Sequence, residues 1–371
     1  MSIPLRTGSL KIITVLGIPI RVHFSWLVIF GLITWSLSTY YFPKAAPEYP
    51  ALSHWASGTL AALMLFVSVA LHELAHSLVA RKYRVVIVDI TLFIFGGVAQ
   101  MKGEPRDPKA EFVIAVAGPL MSFVLALVFL LCSSVSSHTL LAPLFLYLAR
   151  LNAVLGTFNL IPGFPMDGGR VVRSYLWKRS NDFLYATRKA ADYGQRIALA
   201  FIGFGLASLV LGFPDGVWLI LVGWFLYSAA QSSSQQASLQ SSLAGITVGD
   251  IMVREVVSIP AHTTVETAIN HYFLRYGFGG FPVTDQNGVR GMVTLREIKN
   301  VPRDRWPSVT VGEIAAPHEK KFEIPPEDDA WKALETMLSE DQGRLLVTDK
   351  GRMVGLITRN GIAQYIQIMG K

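Results

Sequence analysis

Six apolar runs in the first 230 residues constrain this chain more than anything else in it: 24–41, 58–80, 112–133, 139–160, 197–212 and 217–230. Each is near the ~20 residues that a bilayer core requires of a spanning helix. Lipid offers no partners to backbone N–H and C=O groups, so runs of this kind are expected to be helical. The fifth is short, and on its apolar pattern it extends back toward Ala190. The first lacks a small-residue cleavage site and is too long for a signal peptide, which makes it a retained span. Hydrophobic residues are 51% of the 371 and charged residues 16%, a membrane-like balance. Beyond residue 230 the pattern becomes that of an ordinary soluble segment.

Charge sets an expected orientation. Lys and Arg collect in 1–23, 81–109 and 170–189, whereas the alternate loops contribute only Lys44. By the positive-inside rule this predicts a multi-pass protein of the cell membrane with both termini, and the soluble C-terminal part, in the cytoplasm. The net charge of +7 is then a topology signal, and no nucleic-acid partner is expected. The lone cysteine, Cys132, excludes an intrachain disulfide and cysteine-pair metal sites.

Between the second and third spans, 85–101 is rich in Val, Ile and Phe and broken by Gly96-Gly97. It reads as a β-hairpin or re-entrant strand pair; at membrane depth it needs shielding by protein, and a cytoplasmic connector fits equally. The uncharged Ser/Gln-rich stretch 231–244 reads as a flexible linker. Beyond it Thr247-Val-Gly-Asp-Ile recurs as Thr310-Val-Gly-Glu-Ile, and Gly291-Met-Val-Thr as Gly355-Leu-Ile-Thr. Two α/β units of similar length are therefore expected, 245–303 and 304–371.

The second span carries His72-Glu73-Leu74-Ala75-His76. Residues four apart share one helix face, so both imidazoles can ligate a single zinc ion, and Glu73 stands where a carboxylate can take a proton from an activated water. Ionisable groups at bilayer depth are costly and mark function. A catalytic zinc keeps three protein ligands and one open position. The best third ligand is Asp167, a lone acid in the apolar, helix-breaking run from Asn159 to Gly169; a helix N-cap is its alternative role. Asp89 lies in the expected strands, and Asp107 and Asp182 lie among solvated charges. Arg150 stands mid-span and calls for a wet cavity or an acidic partner.

The His-Glu-Leu-Ala-His segment, with Asn159 and Pro165-Met166-Asp167-Gly168-Gly169 after span four, resembles the site-2 proteases, which are intramembrane metalloproteases. The resemblance covers roughly 1–230. It implies one Zn2+ held by His72, His76 and Asp167, with Glu73 as general base and then general acid. It further implies Asn159 as donor to the scissile carbonyl, with capping of the broken span as its alternative role. Gly96 and Gly97 would lie beside an extended substrate added to a strand edge. The implied fold is a multi-pass α-helical membrane domain of about six spans with a small membrane-associated β-hairpin (1–230), the 231–244 linker and an α/β pair.

That pair resembles CBS domains over about 245–371, which implies homodimerisation and an adenine nucleotide site. In nucleotide-binding members an acid follows a Thr by three residues. Here Glu297 follows Thr294, but Gly361 follows Thr358, so a nucleotide site and a purely structural or dimerising pair both stay open. The function expected is an intramembrane zinc endopeptidase acting on transmembrane or membrane-associated proteins near the cytoplasmic face. A CBS-regulated membrane transporter and a non-catalytic membrane zinc sensor are the alternatives.

Overall fold

The structure is a computed structural model and describes residues 8–94, 96–137, 139–286, 288–317, 319 and 322–369. The chain divides between Ser238 and Leu239 into two compact units.

The N-terminal unit opens with a hairpin, β1 (Ser9–Val15) and β2 (Ile18–His23). Helix α1 (Ser25–Ser36) follows and passes through one π turn, Leu37–Tyr41, into α2 (Phe42–Ala45). Helix α3 (Ala51–Lys82) ends at Tyr83, and Arg84 takes a positive φ of 60° to start the turn into β3 (Val86–Phe93) and β4 (Gly96–Lys102). The remaining helices are α4 (Pro108–Val135), α5 (Leu141–Asn159), α6 (Asp167–Ser180), α7 (Phe183–Val210) and α8 (Gly216–Ser242). Asp107 caps α4 by accepting from the Ala110 N–H, and Asp182 caps α7 by accepting from Tyr185. Two of the three acids that compete with Asp167 in the sequence, Asp107 and Asp182, are thereby assigned to helix ends, and the third, Asp89, lies in β3.

Five helical stretches among the described residues are long and apolar enough to cross a membrane: Ser25–Ala45, Ala51–Lys82, Pro108–Val135, Leu141–Asn159 and Phe183–Val210. The fifth starts well before the expected 197. The sixth expected span lies in α8, which falls outside this set because its apolar part stops at Ala230. The Ser/Gln-rich stretch expected as a flexible linker instead prolongs α8 to Ser242. It contains neither Gly nor Pro from 231 to 242, so nothing in it breaks a helix already under way. Small residues let α7 and α8 pack closely: a Cβ at Gly223 would lie 2.8 Å from the Ala198 carbonyl oxygen, the contact type that holds helices together in lipid.

The expected 85–101 hairpin is β3–β4, with Leu92 opposite Gly97 and Phe93 opposite Gly96. It is half of a larger sheet in the order β1-β2-β3-β4, in which β2 and β3 run parallel. Buried Ile18, Ile90 and Leu74 lock that sheet onto α3. A second cluster, Leu37, Phe42, Ala61, Leu144 and Leu148, joins the first spans to α5.

The C-terminal unit is an internal pair. Its first half runs α9 (Val248–Ile251), β5 (Ile259–Pro260), α10 (Val265–Ala268), α11 (Leu274–Tyr276), β6 (Gly280–Asp285), β7 (Gly288–Thr294) and α12 (Leu295–Lys299). The second runs α13 (Val311–Ile314), β8 (Ala316–Pro317), β9 (Glu323–Ile324), α14 (Ala330–Ser339), β10 (Arg344–Asp349), β11 (Arg352–Thr358) and α15 (Arg359–Met369). There are two sheets, β5-β6-β7-β8 and β11-β10-β9, so β8 joins the strands of the first half. Each of two apolar cores likewise draws on both halves: Val248 of α9 packs with Ile324, Val347 and Ile357, and Val311 of α13 with Ile259, Val283 and Val293. The recurring Thr-Val-Gly-acid segments close reciprocal capping boxes at Thr247/Asp250 and Thr310/Glu313, satisfying two orphan N–H groups at each helix start.

Candidate metal centre

α3 places His72 and His76 one turn apart and buries both, at 3% exposure each. Their Nε2 atoms stand 3.3 Å apart. Asp167, the first residue of α6, sets one oxygen, Oδ2, 3.2 Å from His72 Nε2 and 3.1 Å from His76 Nε2. One ligand atom from each of the three lies within 4.8 Å of the other two. Residues 91 and more positions apart in the chain thus meet at one point.

The far side of each imidazole is anchored by α4. His76 Nδ1 lies 2.7 Å from the Ile114 carbonyl oxygen, which can only accept, so Nδ1 carries a proton and, in the neutral ring, Nε2 keeps its lone pair. His72 Nδ1 lies 2.8 Å from Ser122 Oγ, which can accept in the same way. Two imidazole lone pairs and a carboxylate oxygen then converge with no proton to share among them, an arrangement that a cation satisfies. Space is kept for it: a Cβ on Gly118 of α4 would lie 2.1 Å from His76 Nε2 and 2.6 Å from His72 Nε2. Donor type, tautomer and space all fit a zinc site with two histidines and a carboxylate.

Glu73 lies beside both imidazoles and Asp167, with the Ala99 backbone of β4 near its carboxylate. β4 crosses α3 at this point, where a Cβ on Gly97 would lie 2.7 Å from Glu73 Cγ. Gly96 has φ +128° with open space beside its Cα, a conformation open to glycine and hardly to other residues. β4 is one of the two edge strands of the sheet. Asn159, at the end of α5, donates from Nδ2 back along its own helix to the Leu155 carbonyl at 3.0 Å. Arg150 is exposed on α5, whereas Leu148, Ala149 and Asn152 on the packed side are buried.

Asp167 is held by its surroundings. A Cβ on Gly168 would lie 2.3 Å from the Ile161 carbonyl oxygen, and one on Gly169 2.4 Å from the Phe164 nitrogen, so the turn before α6 closes only with glycine at both positions. Fully buried Glu111 on α4 accepts from Arg170 and Arg173 of α6. Burial opposes the charge on Arg170, but Glu111 overrides it and holds the guanidinium above its ordinary pKa. Ser122, Gly118, the Ile114 carbonyl and Glu111 are the parts of the site that motif reading misses. The signal that finds them is their spacing of three or four residues along α4.

In the C-terminal unit a cleft of about 410 Å³ is lined by residues of both halves, among them Thr294, Glu297, Asp341 and Arg344; Thr358 does not line it. Glu297 accepts from the Thr294 N–H at 2.8 Å and from its hydroxyl at 2.5 Å, so the Thr-x-x-Glu pair is already closed as a capping box. At Thr358 only half a box forms, with the Gly361 N–H donating to the hydroxyl. Burial pushes the Arg344 guanidinium down from its ordinary pKa.

Comparison with known proteins decides the family. The model of peptidase family M50 matches residues 60–142 and 133–205, and the CBS domain model matches 248–304 and 311–368. The chain is 38% identical to Rip3 of Mycobacterium tuberculosis over 95% of its own length and 91% of that protein's. It is 32% identical to a zinc metalloprotease of Methanocaldococcus jannaschii, over 97% of each. The chain belongs to peptidase family M50. It is a zinc metalloprotease of the site-2 protease type, a membrane protein with a CBS pair. Among solved structures it is similar to the site-2 protease of M. jannaschii, with 39% identity and a TM-score of 0.45 over 61% of this chain and 95% of that one. The CBS domain of a bacterial CNNM/CorC-family Mg2+ transporter in complex with ATP covers 36% of this chain and 97% of its own, with 21% identity and a TM-score of 0.32.

Proposed function

We propose that this M50 peptidase is an intramembrane endopeptidase that cuts transmembrane or membrane-associated proteins near the cytoplasmic face. The observation that carries the reading is the convergence of His72, His76 and Asp167 beside Glu73, on a helix long enough to span a bilayer. The site lies close to the basic end of α3: from His76 to Lys82 is about 9 Å at 1.5 Å per residue. By the positive-inside rule that end faces the cytoplasm, as do both termini and the CBS pair.

His72, His76 and Asp167 would hold one Zn2+. When bound, the ion supplies Lewis-acid activation of water and of the scissile carbonyl. Ile114 and Ser122 fix both imidazoles in the tautomer that turns a lone pair toward the ion. Glu73 takes the proton of the attacking water and returns it to the leaving amine nitrogen. The outer edge of β4, with Gly96 and Gly97, offers backbone groups to an extended substrate segment beside Glu73. A substrate helix has its amides bonded internally, so it must unwind locally before it can use that edge. Asn159 would serve the carbonyl through the second N–H of its amide, the first being on Leu155. At the CBS pair, an adenine nucleotide in the Thr294/Glu297 cleft and homodimerisation are the regulatory readings; Thr358 does not line that cleft.

Glu73→Gln tests this directly. Membranes containing wild-type protein should accumulate peptide fragments absent from those with Glu73→Gln, while the variant retains its zinc. Identical fragments from both would contradict the protease reading, and transport or zinc sensing unaffected by the substitution would favour its alternatives.

A further inference from the structure

Asp167 opens α6, so whatever fixes α6 against α4 also fixes its carboxylate against the imidazoles. Arg170 and Arg173 follow at three and six positions, which puts all three on one side of the helix. Glu111, 0% exposed near the start of α4, accepts through the same oxygen from Arg170 Nε at 3.1 Å and from Arg173 Nη2 at 2.6 Å. Arg173 also reaches Glu104 at 3.4 Å, and its guanidinium lies 5.1 Å from the Phe164 ring centroid and 4.6 Å from that of Phe183. Phe164 belongs to the loop that leads into Asp167, so the same cation holds loop and helix together.

We propose that Glu111 is a positioning residue of the metal centre: by gripping Arg170 and Arg173 it sets α6, and with it Asp167, at the distance from α3 that the ion requires. The proposal rests on reading His72, His76 and Asp167 as the zinc ligands. Its main support is the division of labour along one face of α4. Ile114 holds His76, Ser122 holds His72, and Glu111 holds the helix that carries Asp167, at successive steps of the same buried stripe. Two guanidiniums sharing one buried carboxylate are a poor device for stability alone, because apolar side chains of equal volume do as well or better. Their directionality fixes register, which packing by itself leaves loose. Second-layer partners of metal ligands are typically worth 10–100-fold in metal affinity.

The test measures zinc affinity of the full-length protein in detergent by competition with a chelator, together with thermal unfolding in the absence of zinc. The variants are E111Q, D167A and the double variant. E111Q should bind zinc roughly 10–100-fold more weakly, and should cost little further affinity once D167A has removed the ligand that Glu111 positions. Unchanged affinity in E111Q overturns the proposal. So does an equal loss with and without Asp167, which would mark general loosening of the fold. If D167A itself leaves zinc affinity intact, the ligand reading fails and the proposal with it, whereas weak binding by D167A alone leaves that reading standing and isolates the role of Glu111. Where E111Q does not accumulate in membranes, E111D, which keeps the charge and withdraws it by one methylene, carries the same comparison.

Discussion

Gly118 shows how much of this centre depends on a side chain that is missing. α4 passes so close to the imidazoles that a methyl group there would overlap His76 Nε2. Gly118→Ala is therefore expected to weaken zinc binding on the order of 10–100-fold and to reduce proteolysis in proportion. Gly31→Ala, at a helix position with nothing within 4 Å, should leave both unchanged; chelator competition on the two variants checks this. The three residues that converge were legible in the sequence, because two histidines and a lone aspartate stand out in apolar runs. The groups that hold them were not. Ser122 and Gly118 are ordinary residues for a spanning helix, the Ile114 carbonyl has no signature at all, and Glu111 looks like a first-turn acid until α6 brings two arginines to it. Asn159 was legible as a residue but not as a contact, since its amide bonds back to Leu155.

Among the elements, the short helices of the C-terminal unit depend on their caps. Hydrogen bonds from the Thr247 hydroxyl and N–H hold the Asp250 carboxyl below its usual range, and Thr310 does the same for Glu313. A carboxylate whose pKa falls on folding stabilises the folded state above its unfolded value, near 3.9 for Asp and 4.3 for Glu. That stabilisation is lost as pH drops through the lower folded value. Thermal unfolding of the C-terminal unit within the full-length protein should thus shift downward between pH 6 and pH 3, and the D250N/E313Q double variant should show a smaller shift. An equal shift in both proteins would rule out the caps as its source. At this scale β3–β4 was legible from its Val and Ile content and the Gly-Gly break. The β1–β2 hairpin was hidden because Leu10, Ile12 and Ile13 are exposed on an outer strand, so no in–out alternation marks it. α8 outran its apolar pattern because polarity without Gly or Pro does not end a helix.

For the whole molecule, the division into a membrane part and a repeated α/β pair follows from where the charges and the repeats lie. What the sequence could not show is that one buried stripe of α4 faces both α3 and α6, since that depends on a packing between helices distant in the chain. The account stands on one ion shared by those helices. Zinc content and zinc-edge X-ray absorption of the purified full-length protein test it most directly. The predicted result is one zinc per chain, with two imidazole nitrogens at about 2.0–2.1 Å and oxygen completing the shell, the signal being lost in His72→Ala/His76→Ala and altered in Asp167→Ala. A protein that binds no zinc, or whose zinc spectrum is indifferent to all three substitutions, would contradict the account.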